Sequence, residues 1–249
     1  MWHLILSNRL SVVAEPELLC LAEVSTKAGS HTLDTYGVCL CMVAVKLSVC
    51  NSVRMKKVVL ASVSPWRKKI FSTAGIPFSV EESGYEENMK LQLAPRALAR
   101  RLALGKAQAV AARLRKRAQQ ENTLVIGADT FAVFKGKLLG KPRTSAQATR
   151  MLKMLSGRTH VLLTGIAIVD SKTGRHITKT VGTRVTFRRL SARDIARYVK
   201  TGESLTVAGG YAIQGGAAGF VEHIVGDYNN IVGLPLAPLI EALRRFGIG

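Results

Sequence analysis

All four cysteines of the chain (Cys20, Cys39, Cys41 and Cys50) precede Met55, and the whole of its positive charge surplus follows. Ahead of Met55, Arg9, Lys27, Lys46 and Arg54 balance Glu15, Glu17, Glu23 and Asp34, so the net charge of +20 belongs to residues 55 to 249. A long segment without cysteine cannot lean on disulfides, structural zinc or iron–sulfur clusters, and must close a hydrophobic core of its own. Residues 1 to 54 show no clear amphipathic period. Their basic n-region is too short for a secretory signal, and they are too poor in arginine for a transit peptide. They read as an N-terminal extension, disordered or translated from a misplaced start, and Met55-Lys56-Lys57-Val58-Val59-Leu60 reads as the opening of the folded domain, residues 55 to 249.

Hydrophobic residues make up 47% of the 249 positions and charged ones 21%, a globular composition rather than a disordered one. The longest apolar candidate, Tyr36 to Val45, is cut by Lys46 and falls short of the roughly 18 residues a spanning helix needs. No membrane partner is expected, and the expected compartment is the cytoplasm. The surplus of +20 favours polyanions such as phosphates, nucleotides or nucleic acid. Aromatics are only 6% and are not interleaved with the basic runs, so specific nucleic-acid binding is not expected.

Periodicity gives a mixed order of elements. Val58 to Leu60 is a short β-branched run that ends in Ser62-Val63-Ser64-Pro65 before a helix over 66 to 74, a strand, a phosphate-friendly turn and a helix N-terminus. Pro95 suits the first turn of a long helix to about Gln120, with Leu98, Leu102, Val110 and Leu114 inward. Lys106, midway between Leu102 and Val110, has its stem on or beside that buried stripe. Thr123 to Gly127 and Phe131 to Phe134 read as strands, followed by a Lys135-Gly136 hairpin turn that sets Phe134 against Lys137 and Thr130 against Lys141, so that Asp129 falls within one residue of facing Lys141 and the carboxylate and the ammonium meet at the strand ends. Thr144 with Gln147 is a capping box for a helix with apolar spacing 0, 3, 4, 7, and Ser191 with Asp194 caps another. Two long strands, 159 to 169 and 176 to 189, surround a turn at 171 to 174. A glycine-rich stretch from Gly209 leads to a strand at 220 to 225, a turn at 226 to 230 and a closing helix at 236 to 246. Helices alternating with crossovers and hairpins imply an α/β (α+β) domain with a mixed twisted sheet.

Residues 55 to 249 lack a thiol nucleophile, metal-spaced histidines, a nucleophile elbow and a dinucleotide fingerprint. Gly136 to Pro142 misses the phosphate-loop pattern by one residue and carries Pro where a metal-holding hydroxyl belongs. What remains is a set of polar residues at strand ends or within apolar faces: Ser62, Ser64 and Arg67, Glu86 and Glu87, Lys106, Asp129, Lys141 and Gln214. Cations and a turn can take phosphates, and carboxylates can hold a divalent metal and activate water.

Seven stretches, in order, carry a family resemblance: Leu60-Ala61-Ser62-Val63-Ser64-Pro65-Trp66-Arg67, Ile126-Gly127-Ala128-Asp129-Thr130, Leu139-Gly140-Lys141-Pro142-Arg143, Leu155 to His160, Arg184 to Arg188, Ala208 to Gly215, and Asn230-Ile231-Val232-Gly233-Leu234-Pro235. Together they resemble the Maf family of nucleoside triphosphate pyrophosphatases. The resemblance implies a sheet with flanking helices and a central nucleotide cleft, like inosine triphosphate pyrophosphatase. It also implies hydrolysis of a nucleoside triphosphate to monophosphate and pyrophosphate with Mg²⁺ or Mn²⁺, and a homodimer. By position, Asp129 resembles the proton acceptor and metal ligand, Glu87 a second metal ligand, and Arg67, Lys106, Lys141, Ser62 and Ser64 the phosphate-binding set. Thr130 and Gln214 match the branch acting on dTTP and UTP, whereas Trp66 resembles the branch acting on 7-methyl-GTP. The competing class is a basic nucleic-acid-binding or septation-regulating protein without turnover.

Overall fold

The computed structural model describes residues 56–88, 91–117 and 122–248. The extension read for residues 1 to 54, and the stretch from 118 to Gln120 expected to end the long helix, lie outside the described residues. β1 (Lys57–Leu60) runs parallel to β3 (Thr123–Phe134), with β2 (Ser79–Val80) on its other side. Antiparallel pairing then joins β3 to β5 (Thr159–Asp170), β5 to β6 (His176–Phe187) and β6 to β7 (Val221–Val225). β4 (Lys137–Leu139) folds back on the end of β3 through Lys135 and Gly136, whose φ values of 48° and 75° are the left-handed pair that a two-residue hairpin needs. Among the described residues the sheet therefore has seven strands, ordered β2-β1-β3-β5-β6-β7 with β4 on β3, the mixed sheet expected. Asp129 and Thr130 interrupt the apolar run of β3 without interrupting its ladder to β5, so the two strands expected there are one.

Strict side-chain alternation on β3 divides the core. Leu124, Ile126 and Ala128 pack with Phe71 of α1 (Pro65–Ser72) and Leu239 and Leu243 of α6 (Leu236–Arg244), whereas Val125 packs with Ala103, Ala107 and Val110 of α2 (Pro95–Arg117). Each fully buried Leu or Ile contributes about 1.5–3 kcal/mol. Beyond Thr130, Ala132 and Phe134 join a third cluster with Leu152 and Leu155 of α3 (Ser145–Leu155) and Ile195 and Tyr198 of α4 (Ala192–Lys200). No helix among the described residues is long and apolar enough to cross a membrane.

Helix α2 lies unusually close to the sheet. A methyl group on Gly127 would overlap the Ala103 carbonyl oxygen, and one on Gly165 the Ala99 carbonyl oxygen. Both glycines sit on the face that carries Asp129, Gly127 two residues before it and Gly165 directly opposite it on β5. Their missing side chains bring the backbone of α2 within contact of the strands.

Several local signals need correction. Thr144 accepts from Gln147 N as a cap should, but the Gln147 side chain takes the Arg143 N–H rather than that of Thr144, so the box is displaced by one residue. Ser191 and Asp194 form the full box of α4. Phe220 ends a 3₁₀ turn instead of starting a strand, and the expected turn at 226 to 230 contains the start of a short helix, α5 (Tyr228–Val232), whose cap is Asp227.

Candidate active site

The backbone itself creates the site. One edge of β3 is paired along its length by β5; the other is covered by β1 only to Ile126 and by β4 only from Ala132. Between them, residues 127 to 131 have no strand neighbour on that edge among the described residues. β1 ends at Leu60 and turns through Ser62 and Ser64 into α1 beside this gap. A cleft of about 580 Å³ opens there, lined by nine of the ten expected site residues, all but Asp129.

At the gap, consecutive residues of β3 serve opposite faces of the sheet. Asp129 points to α2, where Lys106 Nζ lies 2.6 Å from its Oδ1. The same ammonium lies 2.6 Å from Glu87 Oε1. Glu87, rather than its neighbour Glu86, thus joins the group. The Asp129 side chain is 8% exposed and that of Glu87 42%, so one carboxylate is sealed in the protein and the other faces solvent. Burial raises the Asp129 pKa above the ordinary aspartate value, and the charge and hydrogen bond of Lys106 oppose that rise without cancelling it.

The expected Asp129–Lys141 meeting is corrected. The hairpin register is the expected one, with Phe134 opposite Lys137, and its continuation keeps Thr130 opposite Lys141, one residue from Asp129. One residue of register is a change of face, so Asp129 turns to α2 and takes Lys106 as its cation. Lys141 lies past the end of β4, exposed on the cleft wall.

Thr130 faces α1 and Arg67. The guanidinium donates from Nε to Gly233 O (2.9 Å), from Nη1 to Ser62 Oγ (3.3 Å) and from Nη2 to Thr130 Oγ1 (3.2 Å). All three acceptors are uncharged. Burial lowers the Arg67 pKa, while the fields of Asp129 and Glu87 act the other way. Ser62 Oγ also accepts from Ser64 N, and Ser64 Oγ caps α1 by accepting from Arg67 N, so the turn is braced from within. Trp66, 40% exposed, and Gln214, half-buried, line the cleft as well.

Comparison with known proteins follows the same boundaries. The family model described as Maf-like protein matches residues 57–246. The chain belongs to the Maf family. A dTTP/UTP pyrophosphatase of Moorella thermoacetica is 46% identical over 194 residues, covering 78% of this chain and 97% of that protein. Those of Bacillus cytotoxicus and Desulforamulus reducens are 42% and 41% identical, again over 78% of this chain and 98% of theirs.

The Maf fold of this chain also uses residues that sequence reasoning missed. Thr164 and Asn230, both fully buried, continue the polar contacts of Thr130 into the core. The turn that carries Gln214, between two short 3₁₀ helices, is tied by Ala212 N donating to Tyr198 Oη and Gly216 N to Glu203 Oε2, and the 3₁₀ helix before it by Gly209 N donating to Gly140 O. Buried His160 meets the Tyr211 hydroxyl at 2.7 Å. For the approach of α2 a signal was present in the alanines at 99, 103, 107 and 111, a four-residue spacing that puts the smallest side chains on one helix face.

Proposed function

We propose that this Maf-family protein hydrolyses nucleoside triphosphates, dTTP and UTP before others, to the nucleoside monophosphate and pyrophosphate. One observation carries the proposal: the gap in the edge of β3 brings to one cleft a guanidinium bonded only to uncharged oxygens (Arg67) and a lysine (Lys106) whose ammonium holds a buried carboxylate, Asp129, just behind the cleft wall. A guanidinium so held suits a ligand that brings its own negative charge, as a phosphate does. The names of the relatives support the choice of dTTP and UTP.

In this mechanism Asp129 is the proton acceptor. Its carboxylate takes a proton from water as the water oxygen bonds to the α-phosphorus; the P–O bond to the bridging oxygen breaks, and pyrophosphate leaves with that electron pair. A raised pKa makes Asp129 a better base than an exposed aspartate would be. Arg67, Lys106, Lys141 and the Ser62–Ser64 turn hold the phosphates and stabilise the charge that gathers on the leaving group. Among the described residues no group of three or more His, Cys, Asp or Glu could enclose a metal ion, but Glu87 and Asp129 converge on one cation already. Two carboxylates completed by phosphate oxygens and water are a donor set that suits Mg²⁺ or Mn²⁺. Glu87 and Asp129 would hold such an ion, which when bound supplies positive charge against the phosphates.

Trp66 favours a second substrate, because an exposed indole at the cleft mouth can stack on the cationic base of 7-methyl-GTP. The test is pyrophosphate release from dTTP, UTP, CTP, 7-methyl-GTP, dITP and the common ribonucleotides, with Mg²⁺ and with EDTA. Metal-dependent release led by dTTP and UTP is the expected result. Preference for 7-methyl-GTP would move the substrate to the second reading, and silence from folded protein would leave a binding role. We place the protein in the cytoplasm, where its substrates are made and used, and as a homodimer, which light scattering after gel filtration checks.

A further inference from the structure

The stretch Asn230 to Pro235 carries the family resemblance but has no task in the mechanism above. Its surroundings supply one. Thr130 and Thr164 are cross-strand partners on β3 and β5, with hydroxyl oxygens 3.0 Å apart. Thr164 Oγ1 lies 2.9 Å from the Asn230 carbonyl oxygen, which can only accept, so the single Thr164 proton goes there. Thr164 must then accept from Thr130, and Thr130 in turn accepts from Arg67 Nη2. The Thr130 proton has one other acceptor, the Gly233 carbonyl at 3.4 Å, and the shorter 3.0 Å contact to Thr164 sets the direction: Arg67 to Thr130 to Thr164 to Asn230.

Its far end is fixed firmly. The Asn230 side chain donates both protons, to Leu162 O (3.1 Å) and to Thr183 Oγ1 (3.0 Å). Thr183 Oγ1 in turn donates to Asp227 O, tying α5 to β5 and β6. Three residues on, the Gly233 carbonyl takes Arg67 Nε at 2.9 Å. Three of the five guanidinium N–H groups are thus assigned, leaving one on each terminal nitrogen for an anion in the cleft. Thr164 and Asn230 are 0% exposed and cannot touch a substrate.

We propose that Thr164 and Asn230 are positioning residues that set the Arg67 guanidinium for the phosphates of the nucleotide; the inference rests on the nucleotide reading of the cleft. The test uses the full chain with Thr164→Val, which keeps the shape and removes the hydroxyl, and Thr164→Ser, which restores it. Thr164→Val is expected to raise KM for dTTP and to weaken binding of its non-hydrolysable α,β-methylene analogue by about tenfold, with kcat changed less than about threefold. Thr164→Ser is expected to stay within about twofold of wild type in both. In an Arg67→Ala background Thr164→Val should add nothing, because the residue it acts through is gone. Unchanged analogue binding in Thr164→Val, equal damage in Thr164→Ser, or the same tenfold loss without Arg67 would each overturn the proposal. Wild-type protein that binds the analogue but turns over no nucleotide would refute the hydrolysis reading, while the binding series would still decide the positioning role. Failure of wild type to bind the analogue would overturn both.

Discussion

In the proposed mechanism Asp129 concentrates the chemistry of the site in one group whose surroundings pull in opposite directions. Asp129→Asn keeps an oxygen for Lys106 and nearly the same volume, so its circular dichroism should match wild type while kcat falls by about 10²–10⁴-fold. The base works only when ionised, so activity is expected to fall as pH drops through its pKa, which burial raises above the ordinary aspartate value; the acid limb of kcat/KM checks this. His160 gives a second prediction, of stability. Burial lowers its pKa from 6.5 to about 4, so below 6.5 the unfolded chain takes up a proton that the native protein refuses. The contribution of His160 is therefore complete above pH 6.5 and fades towards pH 4, a loss of about 3 kcal/mol. His160→Gln cannot titrate and should flatten this part of the stability profile, measured by denaturant midpoints across the acid range. At this scale much was legible: Lys106 stood out by its place between Leu102 and Val110, and the Ser62 to Arg67 turn by its position after an apolar strand. Thr164 and Asn230 were not. A threonine inside a strand looks like ordinary β-propensity, and an asparagine after Asp227 looks like a turn; only the third dimension joins them to Arg67.

Among the elements, α2 depends most on what is absent from the strands beneath it. Gly165→Ala would push a methyl into the Ala99 carbonyl oxygen, forcing the helix outward and drawing Lys106 away from Asp129. It should lower the unfolding free energy by about 1–3 kcal/mol and reduce kcat as well, whereas Gly219→Ala, with open space around it, should leave both unchanged. Melting curves and initial rates on the two variants check this. Long elements with caps were readable, α3 and α4 above all, because two or three turns are enough to show a period. The five residues of α5 are too few to show one, which is why a turn was expected. The partner of Asp129 was misread although the hairpin register was right: a residue one position away from a cross-strand pair lies on the opposite face, where α2 brings Lys106.

At the scale of the molecule, the four clusters of the core draw on residues from Val58 to Ile248. We expect residues 55 to 249, produced without the preceding segment, to melt in one cooperative transition and to hydrolyse nucleotides in the same order as the full chain. Loss of cooperativity or of that order in the shorter protein would show that the boundary at Met55 is misplaced. The two walls of the cleft also differ in how they are made. Strands and helices present Lys106 and Arg67, with Asp129 behind them, whereas Gln214 is a half-buried residue on a turn whose neighbours Ile213 and Ala217 are packed in the core. A substitution of the Gln214 side chain itself leaves those packed neighbours and the other wall in place. With Gln214 reading the base as proposed, the choice of nucleotide is free to drift over the descent of such a family while the reaction is inherited intact.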